Sequence, residues 1–433
     1  MKKLLNILFA SGCLLLTSCS INKQITKQAN TIIFSDTIFN PAHIGICIYE
    51  PSTNTYLYNY QSNKYFVPAS NTKIFTTYAA LKNLGDSLTG LQVIVEDGAY
   101  NARFVGDPTF LHADFKQQPI VEFIKQYTDK ITFLKSNFTA QRFGNGWAWN
   151  DYDASYMAER SAAPIYGNVV GFNKKGKEII VTPQSFKDSL TFLGNIKSGN
   201  FYISRLNNGN NFQLNNGNAK FNGEEIPFVT SETLTNQLLE DTLHKTIPFV
   251  NAEAINTNWK NIHSQPTDSL LKIMMHRSDN FFAEQTLLMV SNEKLGMMSD
   301  NKIIDTLLKT DFAGLPQKPK WVDGSGLSRY NLITPQDFVW VLTQMKNNFN
   351  WDRITTIFPT GNKGTLTGYY KKYAGKIYAK TGTLSNHVAL SGYITTNKGK
   401  QLIFSFLVNH HQTSASNIRK SVEKFLGELI EKF

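Results

Sequence analysis

The chain of 433 residues is longer than a single hydrophobic core usually supports, so the sequence predicts more than one domain. Hydrophobic residues make up 41% and charged residues 18% of it, a balance typical of a globular protein and unlike that of a disordered one. The formal net charge is +11, but the lysines and arginines are scattered rather than gathered in runs with interleaved aromatic residues. This pattern argues against nucleic acid as a partner.

The N-terminal segment predicts export. Two lysines precede a short, mostly apolar stretch over residues 4–16, which is too short to span a bilayer and is typical of a secretory signal. Leu16-Thr17-Ser18-Cys19 then resembles a bacterial lipobox, and the alternative is a plain cleaved signal followed by a coincidental cysteine. We expect residues 1–19 to be a lipoprotein-type signal and residues 20–35 a tether that enters a helix. The protein would lie in the periplasm of the cell envelope, lipid-anchored to a membrane through Cys19.

The next part of the chain has two strand patterns, then a helix pattern, and then a long region of short strand patterns. His43–Tyr49 and Thr55–Tyr60 are predicted strands joined by a Pro-Ser-Thr-Asn turn. Apolar residues at three- and four-residue spacing predict a helix from Ala69 to Gly85. Residues 86–249 contain short strand patterns separated by asparagine- and glycine-rich turns, and we expect them to form a β-rich inserted domain.

Helix patterns return from about residue 253, and the strongest is Leu270–Leu288. Three strands are predicted near the end of the chain, at Tyr378–Thr381, Ala389–Thr395 and Leu402–Val408. The final segment, Ser416–Phe433, is predicted to be an amphipathic helix, with its apolar face formed by Ile418, Val422, Phe425, Leu429 and Phe433.

Several common hydrolase and nucleotide-binding signatures are absent from the sequence. There is no HExxH, no GxSxG elbow, no phosphate-binding loop and no GxGxxG. The eight histidines do not pair at metal-ligand spacing. The sequence therefore predicts neither a metal nor a cofactor.

The candidate that is left is a site in which a lysine activates a serine. A serine and a lysine three residues apart on a helix lie on the same face, where the amine can take the hydroxyl proton. The pattern SxxK alone does not choose a site, since it begins at Ser20, Ser70, Ser269, Ser291, Ser299 and Ser421. Ser70 has the best context. It lies in the first turn of a predicted helix, where unpaired backbone N–H groups and the helix dipole favour a developing oxyanion. At Ser269, helix capping is the better interpretation.

Two further short motifs have the right residue types for such a site. Ser-Asp-Asn occurs at 278–280 and at 299–301. The first copy lies inside the predicted helix Leu270–Leu288, where packing explains three small polar residues poorly, and the second is predicted to be a turn. Lys380-Thr381-Gly382 occurs once.

These motifs stand in the order found in penicillin-binding proteins and serine β-lactamases. With additional segments, the chain resembles the D-alanyl-D-alanine carboxypeptidase/endopeptidase family of low-molecular-mass class C penicillin-binding proteins (peptidase family S13) over nearly all of its mature length. The segments that support the resemblance are Pro68-Ala69-Ser70-Asn71-Thr72-Lys73, Gly106-Asp107-Pro108-Thr109, Gly146-Trp147-Ala148-Trp149, Ser278-Asp279-Asn280, Asp323-Gly324-Ser325-Gly326-Leu327-Ser328-Arg329 and Lys380-Thr381-Gly382-Thr383.

The resemblance implies an α/β fold of the α+β type. Its core would be a penicillin-binding, serine β-lactamase-like antiparallel sheet with helices, plus the β-rich inserted domain. Residues 36–85 and 250–433 would form a discontinuous, transpeptidase-like catalytic domain. The active cleft would lie between the sheet and a helical subdomain.

The resemblance also implies a serine DD-peptidase that acts on peptidoglycan stem peptides and is inhibited by β-lactam antibiotics. Ser70 would be the acylated nucleophile, Lys73 its general base, and Ser278 would relay the proton to the leaving D-alanine. The enzyme would release the terminal D-alanine from D-Ala-D-Ala, cut D-Ala-diaminopimelate cross-links, or do both. Each reaction would pass through an acyl-serine intermediate.

The substrate-binding residues are likewise implied by the resemblance. Asn280 would hold the peptide amide, Lys380 would lend positive charge, and Thr381 and Thr383 would bind the terminal carboxylate. The backbone N–H groups of Ser70 and Thr383 would form the oxyanion hole. Gly382 has no side chain, so its strand could lie close to the substrate. Two lysines in one partly dry cleft would also disfavour each other's protonation, which suits a lysine base.

Two alternative functions remain open at this stage. A serine β-lactamase uses the same acylation chemistry, but no ExxLN segment follows Ser70, and Tyr166-Gly167-Asn168, which could imitate a YxN element, lies in the insertion. A non-catalytic peptidoglycan-binding lipoprotein is the second alternative, and the complete set of active-site residue types argues against it. The sequence departs from the family at Phe104-Val105-Gly106, where the family has a glycine-rich lead before Asp-Pro.

Overall fold

The computed structural model describes residues 21–176, 178–195, 201–217, 221–254 and 258–433. The predicted signal and Cys19 lie outside the described residues. Within them, every helix is too short or too polar to cross a membrane.

The strands vary from two to ten residues in length. In chain order they are β1 His43–Glu50, β2 Thr55–Tyr60, β3 Ser87–Glu96, β4 Ala99–Phe104, β5 Ile131–Leu134, β6 Val169–Lys175, β7 Glu178–Thr182, β8 Leu190–Asn195, β9 Tyr202–Arg205, β10 Phe212–Asn216, β11 Glu224–Pro227, β12 Phe249–Val250, β13 Lys260–Pro266, β14 Ile377–Leu384, β15 His387–Thr395 and β16 Gln401–Asn409.

The α-helices are concentrated after residue 230. In chain order they are α1 (21–29), α2 Lys73–Asn83, α3 Pro119–Gln126, α4 Glu232–Leu243, α5 Thr267–Arg277, α6 Asn280–Leu295, α7 Asp300–Lys309, α8 Pro335–Asn348, α9 Trp351–Ile357 and α10 Ala415–Lys432.

A five-stranded antiparallel sheet in the order β14-β15-β16-β1-β2 forms one layer of the molecule. Both of its faces are covered, so β1 is almost continuously apolar rather than alternating. Ile46 and Ile48 pack into a cluster with α1 and α10, whereas Cys47 and Tyr49 pack into a second cluster with α2, α5, α6 and α8. This arrangement confirms the predicted fold class, with an antiparallel sheet between terminal helices and a helical layer.

The terminal helix and the last three strands confirm the sequence predictions closely. The predicted apolar face of α10 is buried at every one of its five positions. Helices and strands with this strong periodicity place their apolar side chains in a core, and that burial is the main source of their stability.

Residues 20–35 were predicted to be a tether that enters a helix, and where the structure describes them the helix is present and takes up most of the segment. Residues 21–29 form α1, which continues into a π-helical turn at Asn30–Phe34. Ile25, Ala29 and Ile33 are fully buried in the same cluster as α10. This segment is therefore part of the folded domain, because its apolar residues recur at helical spacing and have a partner helix to pack against.

The prediction of a single helix over Leu270–Leu288 is wrong, because the structure has two helices there. The chain leaves the helix at Ser278, which has a left-handed conformation with φ +63°, and a new helix begins at Asn280. Asp279 caps α6, since its Oδ1 accepts from the backbone N–H of Phe282 at 2.8 Å. The motif thus lies at a helix junction, where its side chains are turned out of the regular helix.

The β-rich region after α2 contains a mixed sheet in the order β12-β5-β4-β3-β13 and two smaller sheets, β11-β6-β7 and β8-β10-β9. Its apolar side chains form a third core cluster. Strand β13 pairs with β3. The mixed sheet therefore includes residues that lie beyond residue 249, the predicted end of the β-rich inserted domain. The division of the chain into domains over 36–85 with 250–433 and 86–249 stays a prediction.

Candidate active site

Ser70 lies in a tight turn that leads into α2. Ala69–Thr72 form a 3-10 turn, and the α-helix proper begins only at Lys73. Ala69 has φ +49°, so the chain enters the turn through a left-handed residue. The partly exposed side chain of Ser70 lines a cleft of about 420 Å³.

Buried hydrogen bonds attach this turn to the five-stranded sheet. Asn71 Nδ2 donates to Ser391 Oγ at 2.7 Å, and Ser391 Oγ in turn donates to Ser405 Oγ at 2.8 Å. Asn409 on β16 accepts from the backbone N–H of Val67 at 2.8 Å. The turn is therefore held at a fixed position relative to β15 and β16, as a precisely placed nucleophile requires.

Lys73 lies one turn after Ser70 and is fully buried. Its Nζ donates to three acceptors: Ser70 Oγ at 3.0 Å, Asn280 Oδ1 at 2.7 Å and the carbonyl oxygen of Ser325 at 2.8 Å. The amine thus contacts the hydroxyl that it would deprotonate, and the SxxK and Ser-Asp-Asn motifs meet at one nitrogen.

Burial lowers the pKa of Lys73 to about 8, and the negative charges of Asp279, Asp323 and Glu284 oppose this effect. Burial also lowers the pKa of Lys380, with repulsion from Lys73 as the second cause. Desolvation therefore contributes more to the weak basicity of this pair than the lysine–lysine repulsion that the sequence led us to expect.

The loop Asp323–Arg329 supplies the carbonyl that binds Lys73, and Asp323 organises this loop. Its Oδ1 accepts from the N–H of Gly326 at 2.8 Å, and its Oδ2 accepts from the N–H of Ser328 at 2.6 Å and from Trp147 Nε1 at 3.0 Å. Trp147 therefore supports the loop, and no sequence motif indicates this pairing.

Glu284 fixes the same loop from the other side. Its Oε1 accepts from the N–H of Ser325 at 2.7 Å, and its Oε2 lies 3.3 Å from Arg160 Nη1. Burial raises the pKa of Glu284 to about 7, with repulsion from Asp323 adding to the shift and Arg160 opposing it. Sequence reasoning missed Glu284 because it stands on an apolar helix without a recognisable motif.

The opposite wall of the cleft is β14. Lys380 Nζ donates to Ser278 Oγ at 2.8 Å and to the carbonyl oxygen of Thr381 at 2.7 Å. A Cβ on Gly382 would lie 2.6 Å from the carbonyl oxygen of Pro68, so only glycine lets β14 approach the Ser70 turn this closely. Thr383 lines the cleft beside Ser70.

Of the predicted site residues, Ser70, Ser278, Asn280 and Thr383 line the cleft, and Lys73 and Lys380 reach it from buried positions. Thr381 lines a smaller neighbouring cavity instead. The cleft also contains charged and aromatic side chains that sequence reasoning did not single out as site residues: Asp151, Tyr156 and Arg329. Arg329 stood in a recognised motif, but Asp151 and Tyr156 had no motif to mark them.

The antiparallel sheet, the Ser70–Lys73 turn and the Lys380 strand define an active-site serine enzyme with the fold of penicillin-binding proteins and serine β-lactamases. A family model described as the D-Ala-D-Ala carboxypeptidase 3 (S13) family matches residues 31–429, and the chain belongs to this family. This finding confirms the resemblance seen in the motifs and makes the protein a serine-type D-Ala-D-Ala carboxypeptidase by class.

Curated relatives match along most of their length. The chain is 24% identical to the D-alanyl-D-alanine carboxypeptidase DacB of Haemophilus influenzae, over 95% of each chain. It is also 24% identical to the D-alanyl-D-alanine carboxypeptidase of Actinomadura sp. (strain R39), over 88% of this chain and 80% of the relative.

Solved structures confirm the fold. The crystal structure of penicillin binding protein 4 (dacB) from Haemophilus influenzae superposes with a TM-score of 0.74 at 20% identity, over 94% of this chain and 99% of that one. The Bd3459 predatory endopeptidase from Bdellovibrio bacteriovorus, in complex with the immunity protein Bd3460, gives a TM-score of 0.51 at 14% identity over 90% and 93% of the two chains.

Proposed function

We propose that this serine-type carboxypeptidase works through an ester formed on Ser70, with Lys73 as the general base. The observation that supports the proposal most directly is the 3.0 Å contact between the buried Lys73 Nζ and Ser70 Oγ. A general base must lie within hydrogen-bond reach of the proton it removes and have a pKa near the working pH. Lys73 meets both conditions, since burial lowers its pKa to about 8.

In the proposed reaction, Ser70 Oγ attacks the carbonyl carbon of the penultimate D-alanine and its proton passes to Lys73. The oxyanion of the tetrahedral intermediate is stabilised by the backbone N–H groups of Ser70 and Thr383. The C–N bond then breaks, and the proton that Lys73 accepted passes to the leaving amine by way of Ser278, whose hydroxyl accepts from Lys380 at 2.8 Å. Water hydrolyses the acyl-Ser70 ester and regenerates the hydroxyl.

The substrate fits this cleft as an extended stem peptide. Asn280 holds a peptide amide, while Thr381 and Thr383 on β14 bind the carboxylate next to the scissile bond. Release of terminal D-alanine and cleavage of a D-Ala-diaminopimelate cross-link both expel an amine adjacent to a carboxylate. The same machinery therefore serves both reactions, and β-lactam antibiotics acylate Ser70 because they mimic the D-Ala-D-Ala end.

The first experiment is the intact mass of the purified protein after incubation with benzylpenicillin, followed by peptide mapping. We expect one penicilloyl group on Ser70 and none in Ser70→Ala, whereas Ser269→Ala, which removes another SxxK serine, is acylated normally. Absence of an adduct on Ser70 contradicts the proposal. Rapid, sustained turnover of nitrocefin indicates a β-lactamase instead.

A second experiment distinguishes the two peptidase reactions and the non-catalytic alternative. Purified muropeptides are treated with the enzyme and analysed by mass spectrometry. Loss of one D-alanine from pentapeptides shows carboxypeptidase activity, and conversion of cross-linked dimers to monomers shows endopeptidase activity. Full retention of the cell-wall phenotype in a Ser70→Ala strain would favour a peptidoglycan-binding lipoprotein.

The proposal extends to the location of the protein: export by the N-terminal signal, and lipidation of Cys19. The described helix starts at residue 21 and is packed into the core, so a lipid on Cys19 would hold the catalytic domain close to the membrane. We expect Cys19→Ser to abolish labelling with a fatty-acid analogue and to release the protein from the membrane fraction. Unchanged labelling contradicts the lipid anchor.

A further inference from the structure

Arg419 lies on α10, the helix that packs against the five-stranded sheet and contacts β15. Its Nη2 donates to Thr383 Oγ1 at 2.5 Å. Thr383 lines the cleft together with Ser70. A side chain from the C-terminal helix therefore reaches a residue of the candidate carboxylate-binding strand.

The charge of Arg419 has no carboxylate to balance it. In the part of the chain that the structure describes, no Asp or Glu oxygen lies within ion-pair distance of Arg419 or of Lys380. Arg160, Arg277 and Arg353, by contrast, each pair with an aspartate.

Arg419 is also close enough to Lys380 to act on it. Its positive charge contributes, after burial and Lys73, to the lowered pKa of Lys380. Positive charges that approach one another without an intervening anion cost free energy. This end of the cleft is therefore suited to an anion.

The direction of the hydrogen bond adds chemical detail. Thr383 Oγ1 accepts from Arg419, so the hydroxyl proton of Thr383 remains available for donation to another acceptor. A hydroxyl polarised by a guanidinium is a stronger donor, because hydrogen bonds in a chain strengthen one another. A carboxylate at this point would receive the Thr383 proton and the field of the guanidinium together.

We propose that Arg419, acting with Thr383, recognises the carboxylate beside the leaving amine of the substrate and so determines specificity for a scissile amide that has a free carboxylate next to it. The inference rests on the proposed function and adds a residue that no motif marks. Arg419 is on the polar side of an amphipathic helix, whose apolar residue Ile418 is buried. The alternative is that Arg419 only holds Thr383 in place.

The test compares two substrates, diacetyl-L-Lys-D-Ala-D-Ala and its C-terminal amide, with the wild-type chain, Arg419→Gln, Arg419→Lys and Lys420→Gln. We expect Arg419→Gln to lower kcat/KM for the acid by roughly 10- to 100-fold, the loss typical of a charge-assisted hydrogen bond, mainly through KM. The amide should change less than about threefold. Arg419→Lys should restore part of the preference for the acid.

Lys420→Gln is the matched control. Lys420 is the exposed neighbour of Arg419 on α10, and its substitution removes the same positive charge. It should leave the ratio between acid and amide unchanged. An equal loss on both substrates in Arg419→Gln, or the same change in Lys420→Gln, overturns the proposal while the peptidase function stands. If the wild-type chain cleaves neither peptide, the proposed function itself fails.

Discussion

The three protons of the Lys73 ammonium all have acceptors in the folded protein: Ser70 Oγ, Asn280 Oδ1 and the Ser325 carbonyl. The pKa nevertheless falls to about 8, so desolvation outweighs these hydrogen bonds and the nearby carboxylates. The neutral amine is the form that can accept the Ser70 proton. Its population grows as the pH rises through the folded-state pKa, which is well below the usual value of 10.5.

We therefore expect the rate constant for acylation by benzylpenicillin to increase with pH along a limb centred near 8, as measured by stopped-flow quenching of tryptophan fluorescence. Asn280→Asp should move this limb to higher pH, because it places a carboxylate where the amide oxygen now lies 2.7 Å from Nζ. A limb centred near 10.5 in the wild-type chain would rule out burial as the control of Lys73 basicity.

Gly326 shows how closely the Asp323–Arg329 loop contacts the Ser70 turn. It has φ +81°, and a Cβ there would lie 1.9 Å from the carbonyl oxygen of Ala69. Gly399 has the same φ, but a Cβ there would meet nothing within 4 Å. The two glycines therefore share the conformational cost of substitution, roughly 1 kcal/mol, and differ only in the clash.

We expect Gly399→Ala to be fully active and only slightly less stable. Gly326→Ala should reduce the acylation rate by at least about 100-fold, because the Ser70 turn must move and a displacement of 1 Å has an effect of this size. Acylation kinetics and thermal unfolding of the two variants check this. Equal activity of the two variants would mean that the Asp323–Arg329 loop moves to relieve the clash and leaves Ser70 in place.

Among the elements, α1 lies in the segment that the sequence indicated to be a tether entering a helix. Ile33, just beyond α1, is fully buried in the cluster with α10. We expect Ile33→Ala to lower the free energy of unfolding by about 2–5 kcal/mol, the usual cost of truncating a buried isoleucine. Lys27→Ala, on the exposed side of α1, should change it by less than about 0.5 kcal/mol. Urea denaturation measures both, and equal small effects would restore the interpretation as a tether.

The elements also show which features sequence reasoning can predict. Strands β14–β16 and helix α10 were predictable, because apolar periodicity decides burial and burial decides their structure. The break at Ser278 was not, since a left-handed serine has no local signal and the apolar pattern continues across it. Its side chain leaves the helix to contact Lys380, which is 102 residues away.

The residues of the candidate site also fall into those that the sequence could predict and those that it could not. The meeting of Ser70, Lys73 and Lys380 at one cleft was predictable, because these residues stand in recognisable motifs. Glu284 and Arg419 were not, since each is a single charged residue on a helix, which in a sequence resembles a solvated position. Their contacts form only in the folded chain, with the Ser325 loop for Glu284 and with strand β14 for Arg419.

At the scale of the whole molecule, Arg160 connects the β-rich region to the helices behind the active site. Its side chain is almost fully buried. Its Nη1 lies 3.3 Å from Glu284 on α6 and 2.6 Å from Asp300 on α7, and its other nitrogens donate to the carbonyls of Gln141 and Phe143 at 3.0 Å. Because Glu284 also holds Ser325, this ion network reaches Lys73 through one loop.

We expect Arg160→Met to lower the free energy of unfolding by about 3–5 kcal/mol, because it leaves two buried carboxylates without their cation. Lys125→Met is the control in the same region. The Lys125 side chain is 54% exposed and lies 3.0 Å from Glu122, which is 69% exposed, so its loss should cost less than about 1 kcal/mol. Urea denaturation at pH 8 compares the two variants.

The dependence on pH tests the cause of this loss. Arg160 is the group that holds down the raised pKa of Glu284, so that pKa rises further in Arg160→Met. A carboxyl whose folded-state pKa exceeds its unfolded value binds more protons when folded, and stability therefore falls as pH rises from about 4.5 to the folded-state pKa. The deficit of Arg160→Met should be clearly smaller at pH 5 than at pH 8, and Glu284→Gln in the same chain should remove most of this difference. A deficit that is the same at both values would show that lost packing, rather than an uncompensated carboxylate, separates the variant from the wild-type protein.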